Sequence, residues 1–477
     1  MNYRMTVYVL GILMVFEGLF LGVPALTAAF YQEKDGLMFL GLGLFCVAAG
    51  FLISRKKPQN RNLFARDGFV ICALSWILMS FFGALPLFFS GACPQFVDAM
   101  FESVSGFTTT GASILSDLDH LPKCVLMWRS FTHWIGGMGV LVFIMAILPL
   151  SGGMNMYLMK AESPGPSVSK LVPRVRNTAL LLYLIYIGLT LLEFLLLFCG
   201  EMTFFEAINY AFATAGTGGF SVSNAGMGGY SPYSQIVVTV FMILFAVNFT
   251  SYFLLLTGKI KEAFNTEIRM VLAIVALAII TVSVDVHHLF ATTGEAVRHS
   301  AFQVGSLMSS TGFATADFNT WPTLSKTILV LLMFVGACAG STGGGIKVSR
   351  VIILGKSMRN ELRVQLHPRQ VRKVKVDGRQ VEPEVIRNIH AYLVCYILIY
   401  VASMLILSLD GLDLTTNFTG VVATLNNIGP GLSKVGPMEN YALFSPLSKT
   451  VLIFDMLAGR LELFPMILLF TPMTWKK

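Results

Sequence analysis

Apolar positions along this chain of 477 residues fall into long runs separated by short polar segments. Ten of these runs are long enough to cross a bilayer, since a helical span needs roughly 18 apolar residues. We place them at 5–30, 37–54, 68–89, 123–149, 178–199, 233–257, 268–290, 324–354, 387–409 and 447–471. Because backbone groups in lipid must be hydrogen-bonded within a helix, the pattern predicts an all-α polytopic membrane protein.

Four shorter apolar segments lie between the long runs, near 96–107, 203–215, 295–308 and 415–425. Each has about a dozen residues, which is too short to cross the bilayer but long enough to enter it and return. The pattern therefore predicts a unit of span, short helix, loop and span that occurs four times. We assign two extra N-terminal helices to 1–55, the repeats to 68–150, 178–258, 268–355 and 387–472, and a basic cytoplasmic loop to 356–386.

Composition and charge agree with this class of protein. Hydrophobic residues make up 55% of the chain and charged residues only 13%, which excludes an ordinary soluble domain. Most Lys and Arg residues fall on one side of the predicted spans, so both termini are expected in the cytoplasm and the short helices enter from outside. This orientation accounts for the net charge of +8 without a nucleic-acid partner.

Each short segment ends in a polar loop that carries glycine. The loops are "TTTGA" at 108–112, "GTGGF" at 216–220, "SSTGF" at 309–313 and "NNIGP" at 426–430. Extended backbone with glycine can aim carbonyl oxygens at a common axis, where they replace the hydration shell of a monovalent cation. The alternative is that these glycines only allow close helix packing. The candidate cation ligands are Thr109, Thr110, Gly111, Thr217, Gly218, Gly219, Ser310, Thr311, Gly312, Asn427, Ile428 and Gly429.

Two further features lie within predicted spans. The stretch "GACAGSTGGGIK" at 336–347 cannot remain a regular helix, and Ile346 between the last glycine and Lys347 argues against a phosphate-binding loop. It is either a packing kink or an unwound gate inside the pore. Arg460 is either a positive barrier below the loops or the partner of Asp455 or Glu462. The candidate gate residues are Gly340, Ser341, Thr342, Gly343, Gly344, Gly345, Lys347 and Arg460.

These motifs resemble those of the Trk/Ktr/HKT superfamily of potassium transporters, and most closely its Trk-type membrane subunit. The resemblance extends over the whole chain and rests on the four loops together with "AGSTGGGIKVSR" at 339–350 and "GRLELFP" at 459–465. It implies potassium uptake across the cell inner membrane through a pseudo-fourfold pore, with the glycine-rich stretch as gate. It also implies a homodimer in membrane lipid, a cytosolic nucleotide-binding regulatory subunit, and no cofactor besides the transported potassium ion.

The fourth loop departs from the pattern, because it lacks a hydroxyl residue and carries Pro430. An alternative function is a secondary transporter of a small solute, in which broken helices also occur. An enzyme is not expected, since the chain has no HExxH or GxSxG motif. The sequence leaves open the selectivity for potassium over sodium, proton coupling, the regulatory nucleotide and a disulfide between Cys93 and Cys124.

Overall fold

The computed structural model describes residues 1–60, 63–139, 175–367 and 373–475, and the described chain is mostly helical. The helices are α1 Tyr3–Phe20, α2 Gly22–Tyr31, α3 Gly36–Ser54, α4 Ala65–Phe89, α5 Phe96–Phe107, α6 Lys123–Gly137, α7 Val175–Phe198, α8 Phe204–Ala215, α9 Pro232–Ala246, α10 Phe249–Leu256, α11 Ile260–Ala263, α12 Thr266–Val286, α13 Thr293–Met308, α14 Thr323–Val335, α15 Val348–Leu366, α16 Pro383–Leu407, α17 Leu414–Leu425, α18 Pro446–Arg460, α19 Phe464–Phe470 and α20 Pro472–Trp475. A hairpin of β1 Lys375–Val376 and β2 Arg379–Gln380 pairs Lys375 with Gln380 and Val376 with Arg379.

Six of the described helices or helix pairs are long and apolar enough to cross a membrane, and the bent pair α9 and α10 makes a seventh. The class of a multi-span helical membrane protein is therefore confirmed. The two N-terminal spans lie outside the repeats and pack through glycines. A Cβ atom on Gly18 would lie only 2.4 Å from the carbonyl oxygen of Gly43, so the helix backbones touch directly.

Each repeat places a long helix, a short helix, a loop and a second helix in succession. The four short helices are α5, α8, α13 and α17. Three of them begin with a side-chain cap, since Thr203, Thr292 and Asp413 accept hydrogen bonds from backbone amides in the first helical turn. These caps fix where the three helices α8, α13 and α17 start, and the irregular loop fixes where each short helix ends.

The structure breaks three spans that the apolar pattern predicts. The break over 336–347 was expected, but the predictions of continuous helices over 233–257 and 447–471 are wrong. In the first, α9 and α10 meet at 93° because Val247 is extended and Asn248 caps the new helix through the amide of Thr250. In the second, Glu462 and Leu463 have φ angles of 55° and 70°, which end α18 before α19 begins. The end of the span predicted over 123–149 lies outside the described residues beyond 139.

Candidate ion-binding site

The four loops share one backbone conformation. At the end of each short helix an amide bonds to the carbonyl five residues earlier, at 2.8–2.9 Å: Thr110 to Ser105, Gly218 to Ala213, Thr311 to Ser306 and Ile428 to Ala423. The residue before each of these amides is left-handed without being glycine, with φ of 56° at Thr109, 54° at Thr217, 60° at Ser310 and 54° at Asn427. This conformation is uncommon for such residues, so its recurrence identifies the loops as structural equivalents.

The loop glycines bring the repeats into contact with one another in cyclic order. A Cβ atom built on any of the four loop glycines would clash with a carbonyl oxygen of the next repeat. The distances are 1.9 Å from Gly111 to Gly218 O, 2.0 Å from Gly219 to Thr311 O, 2.0 Å from Gly312 to Ile428 O and 2.8 Å from Gly429 to Thr110 O. Each glycine also has φ between 77° and 93°. Only glycine fits these positions, because it has no Cβ atom to clash with the neighbouring carbonyl and because it tolerates positive φ. The twelve residues predicted as cation ligands therefore form one closed ring, which we call the carbonyl ring.

The ring is not symmetric in its side chains. Asn427, the residue that replaces a hydroxyl in the fourth loop, donates from Nδ2 to Thr110 Oγ1 at 2.9 Å and so joins the fourth loop to the first. Ser310 Oγ accepts a 2.6 Å hydrogen bond from the amide of Gly344, which belongs to the glycine-rich segment 336–347. Thr217 Oγ1 instead bonds to the carbonyl of Gly216 in its own loop.

A cavity of about 230 Å³ lies on the side of the ring formed by the residues that follow the glycines. All four ring glycines line it, together with polar groups of the next residues, among them Ser113, Ser221, Asn224 and Glu439. The cavity offers a polar approach to the ring from the predicted outer side.

The glycine-rich segment lies against the opposite side of the ring. A Cβ atom on Gly343 would be 2.7 Å from Ser309 O, and one on Gly344 would be 2.3 Å from Asn426 O. Ser309 and Asn426 directly precede the ring residues of the third and fourth loops. The segment therefore crosses under half of the ring at backbone contact distance.

Not every predicted gate residue reaches the ring. Gly340 approaches the side chain of Asn248, Ser341 donates to Cys338 O at 2.7 Å, and Gly345 packs against Gly336. Lys347 is buried and its ammonium group donates to the carbonyls of Gly343 and Gly344. The segment is thus held in place by its own lysine and by the bend at Asn248.

Arg460 reaches the same region from the end of α18. Its guanidinium donates to Thr342 O at 2.7 Å and to the carbonyls of Gly136 and Gly137 at 2.5 and 2.8 Å. The acids proposed as its alternative partners have other contacts. Glu462 pairs with Arg350, and Asp455 accepts a hydrogen bond from Ser403 at 2.8 Å. Arg460 therefore joins the first repeat to the glycine-rich segment.

A family model described as "TrkH: Cation transport protein" matches residues 38–477 of this chain. This chain belongs to the TrkH family. It is 36% identical to the Trk system potassium uptake protein TrkH of Escherichia coli K12, with all of both chains covered. It is also 34% identical to the Trk system potassium uptake protein TrkG of the same strain, over 100% of this chain and 99% of the other.

The fold agrees with the family assignment. The crystal structure of the potassium transporter TrkH from Vibrio parahaemolyticus superposes with a TM-score of 0.90 at 32% identity, covering 100% of each chain. As a member of a cation transport family, the chain is a transport protein and not an enzyme.

The buried ion pair Glu102–Arg129 was not predicted from the sequence. Their closest atoms, Arg129 Nε and Glu102 Oε1, are 2.8 Å apart, and both side chains are almost fully buried. Glu102 also accepts from the amide of Ile114 at 3.0 Å, while Arg129 donates to Ser221 O at 3.1 Å. The pair therefore ties the first loop to the second in this TrkH-family chain.

A positional signal for Glu102 was present in the sequence. Glu102, Tyr210 and Gln303 stand at the same distance before their ring glycines. Each reaches its own loop, since Tyr210 bonds to Ser221 and Gln303 donates to Ala316 O. Aligning the repeats on the glycines would have identified this position as a loop support.

His133 is a second residue that the sequence reasoning did not single out. Its Nε2 accepts a 3.2 Å hydrogen bond from the amide of Phe220, so Nδ1 carries the proton and donates to Gly106 O at 2.8 Å. This neutral side chain joins the first short helix to the second loop.

A second ion pair involves the same short helix, α5. Besides Glu102, Asp98 is neutralised by Lys449 at 2.6 Å. Cys93 and Cys124 are both buried free thiols in the structure, so the possible disulfide between them is not formed.

Proposed function

We propose that this chain takes up potassium ions across the cell inner membrane through the carbonyl ring. The closed cyclic contact of the four loops carries the proposal, because a carbonyl of each repeat lies against the ring glycine of the preceding repeat. A ring of backbone carbonyls suits a partly dehydrated monovalent cation. The curated relatives in the family, including TrkH of Escherichia coli K12, are named potassium uptake proteins.

The two sides of the ring differ, and this difference supports inward passage of a cation. Ions approach through the outer cavity, and the C-terminal ends of the short helices add partial negative charge beside the ring. The glycine-rich segment and the cationic side chains of Lys347 and Arg460 lie beyond it. We assign the segment as the gate, because an ion leaving the ring meets its backbone at contact distance.

The assembly expected from the family completes the proposal. The chain would form a homodimer, keep both termini in the cytoplasm and bind a cytosolic nucleotide-binding regulatory subunit through the basic loop 356–386. Lys356, Lys373 and Lys375 of that loop are exposed, as a docking surface requires. The relatives' printed names place them in a Trk system, which supports a multi-component assembly.

Flux into vesicles tests the transport proposal directly. The purified chain in potassium-loaded vesicles is expected to accumulate labelled rubidium above empty vesicles, with external potassium competing better than external sodium. A folded protein that gives no rubidium uptake, but transports a small solute when a proton or sodium gradient is imposed, would favour the secondary-transporter alternative.

A further inference from the structure

One carboxylate outside the ring holds both arms of the glycine-rich segment. Glu267 is the second residue of α12, and its Oε1 accepts hydrogen bonds from the amides of Ala339 at 2.8 Å and Ser349 at 3.0 Å. Ala339 precedes the glycine triplet 343–345 and Ser349 follows it. A single side chain on a spanning helix therefore holds the chain on both sides of the glycine triplet.

The contact at Ser349 replaces a missing helix cap. The N-cap residue of α15, Lys347, makes no side-chain capping hydrogen bond. Its ammonium group points back to the carbonyls of the glycine-rich segment instead. The Glu267 carboxylate fills that role from another helix, and a negative charge at a helix N-terminus is favourable.

The residue before Glu267 is held by the cytoplasmic hairpin. Asp377 Oδ1 accepts from the amide and the hydroxyl of Thr266, at 2.9 and 2.5 Å. Asp377 and Gly378 form the hairpin turn, with φ of 48° and 76°. The hairpin is also fastened to α15, because Lys356 Nζ donates to Lys375 O at 2.9 Å.

Apolar packing makes the hairpin and the two helices one unit. Val376 of β1 packs against the buried cluster that contains Ile268 of α12 and Ile352 of α15. A displacement of the hairpin would therefore be transmitted to the first turn of α12, which carries both Thr266 and Glu267.

We propose that Glu267 is the positioning residue that keeps the glycine-rich segment under the carbonyl ring, and that the hairpin 375–380 controls it through Asp377. This rests on the gate of the proposed function. When the hairpin moves away from Thr266, α12 shifts, Glu267 releases the amides of Ala339 and Ser349, and the segment leaves the ring.

The segment contains its own reporter of this release. Cys338 is adjacent to Ala339, is fully buried and is a free thiol. Its reaction with N-ethylmaleimide, followed by mass spectrometry of the peptide that contains it, measures how often the segment opens. This readout does not depend on flux.

Three variants and one control define the test in the full-length protein in vesicles. Glu267→Ala removes the acceptor. Glu267→Gln keeps the side-chain volume and one acceptor oxygen, and it replaces the alanine variant if that variant does not fold. Asp377→Gly removes the hairpin carboxylate, and glycine tolerates the positive φ of this turn. Glu262→Ala is the control, because Glu262 is an exposed acid on the neighbouring helix α11.

Glu267→Ala should raise the rate of Cys338 alkylation about tenfold over that of the control Glu262→Ala, because charge-assisted hydrogen bonds are lost. The rate in Glu267→Gln should lie between these two rates. Asp377→Gly should give about a threefold rise, and adding it to Glu267→Ala should add nothing, since both act through one contact. Basal rubidium flux should increase in the same order, while the potassium-to-sodium ratio stays constant.

The outcomes separate this inference from the gate itself. Alkylation of Cys338 at the control rate in Glu267→Ala would overturn the inference, even where deleting the glycine triplet raises flux. A fully additive double variant would overturn the role of the hairpin. Faster alkylation with unchanged flux would support the positioning role of Glu267 and overturn the gate.

Discussion

Replacing Gly111 by serine should reduce the discrimination between potassium and sodium. Gly111 has φ of 77°, and its position is closed by the neighbouring repeat, since an added Cβ would lie 1.9 Å from Gly218 O. A carbon and a carbonyl oxygen in non-bonded contact are separated by about 3.3 Å or more. The serine can therefore be accommodated only if the first and second loops move apart by more than about 1 Å.

The magnitude follows from how selectivity depends on free energy. A change of about 1.4 kcal/mol in the relative binding of two ions is a tenfold change in their ratio. A displacement of about 1 Å removes one carbonyl of four from direct contact with the ion while three stay in place. We therefore expect the ratio of potassium to sodium uptake to fall by about tenfold or more, with measurable flux retained.

Backbone strain needs its own control, because a side chain in the left-handed region costs roughly 1–2 kcal/mol. Gly91 provides it, as its φ is also 77° and nothing lies within 4 Å of an added Cβ. Gly91→Ser carries the same strain without the contact. Uptake of rubidium and of sodium by both variants, at matched protein content, gives the comparison. Equal potassium-to-sodium ratios in Gly111→Ser and Gly91→Ser would refute the assignment of the ring.

Three further predictions concern the gate and the cytoplasmic face. Deleting 343–345 should raise steady rubidium flux and remove its dependence on a regulatory subunit, whereas wild-type flux and regulation in a folded variant would contradict the gate. Arg460→Ala removes donors to Thr342, Gly136 and Gly137, so flux should rise several-fold at an unchanged potassium-to-sodium ratio, and a changed ratio would place Arg460 within the selectivity step. Combined neutralisation of basic residues in the cytoplasmic loop should weaken co-purification with a cytosolic subunit, and unaffected co-purification would leave these charges a role in orientation only. The neutralised residues are Lys373 and Lys375, which are exposed, and Arg369 and Arg372, which lie outside the described residues.

The ring was predictable from the sequence because each repeat carries its own local signal. A short apolar helix, a polar residue and a glycine recur in the same order, and the chain must bury irregular backbone at that depth inside protein. The order in which the loops meet was not predictable, because the contact of Gly111 with Gly218 O joins residues of different repeats.

The breaks in the spans show where local signals fail. Asn248 is a polar residue inside an apolar run, and its capping preference was a usable signal for the bend that follows Val247. Leu463 offered no such signal, since leucine rarely adopts φ of 70°. Burial of its side chain in the core holds this conformation, together with a local hydrogen bond from its amide to Ala458 O at 2.7 Å.

The two halves of the ring are held by different means, and this has a consequence for selectivity. The second loop is tied to the first repeat by Arg129 and His133 of α6, since Arg129 donates to Ser221 O and His133 Nε2 accepts from the amide of Phe220. The third and fourth loops instead meet the glycine-rich segment, through Ser310 Oγ to Gly344 N and through the backbone of Asn426. If that segment moves to open the pathway, the third and fourth loops lose these contacts, although Asn427 still joins the fourth loop to Thr110 of the first. Discrimination between ions in the open state should therefore depend more on the loops of Gly111 and Gly219, which Arg129 and His133 support, than on the loops of Gly312 and Gly429.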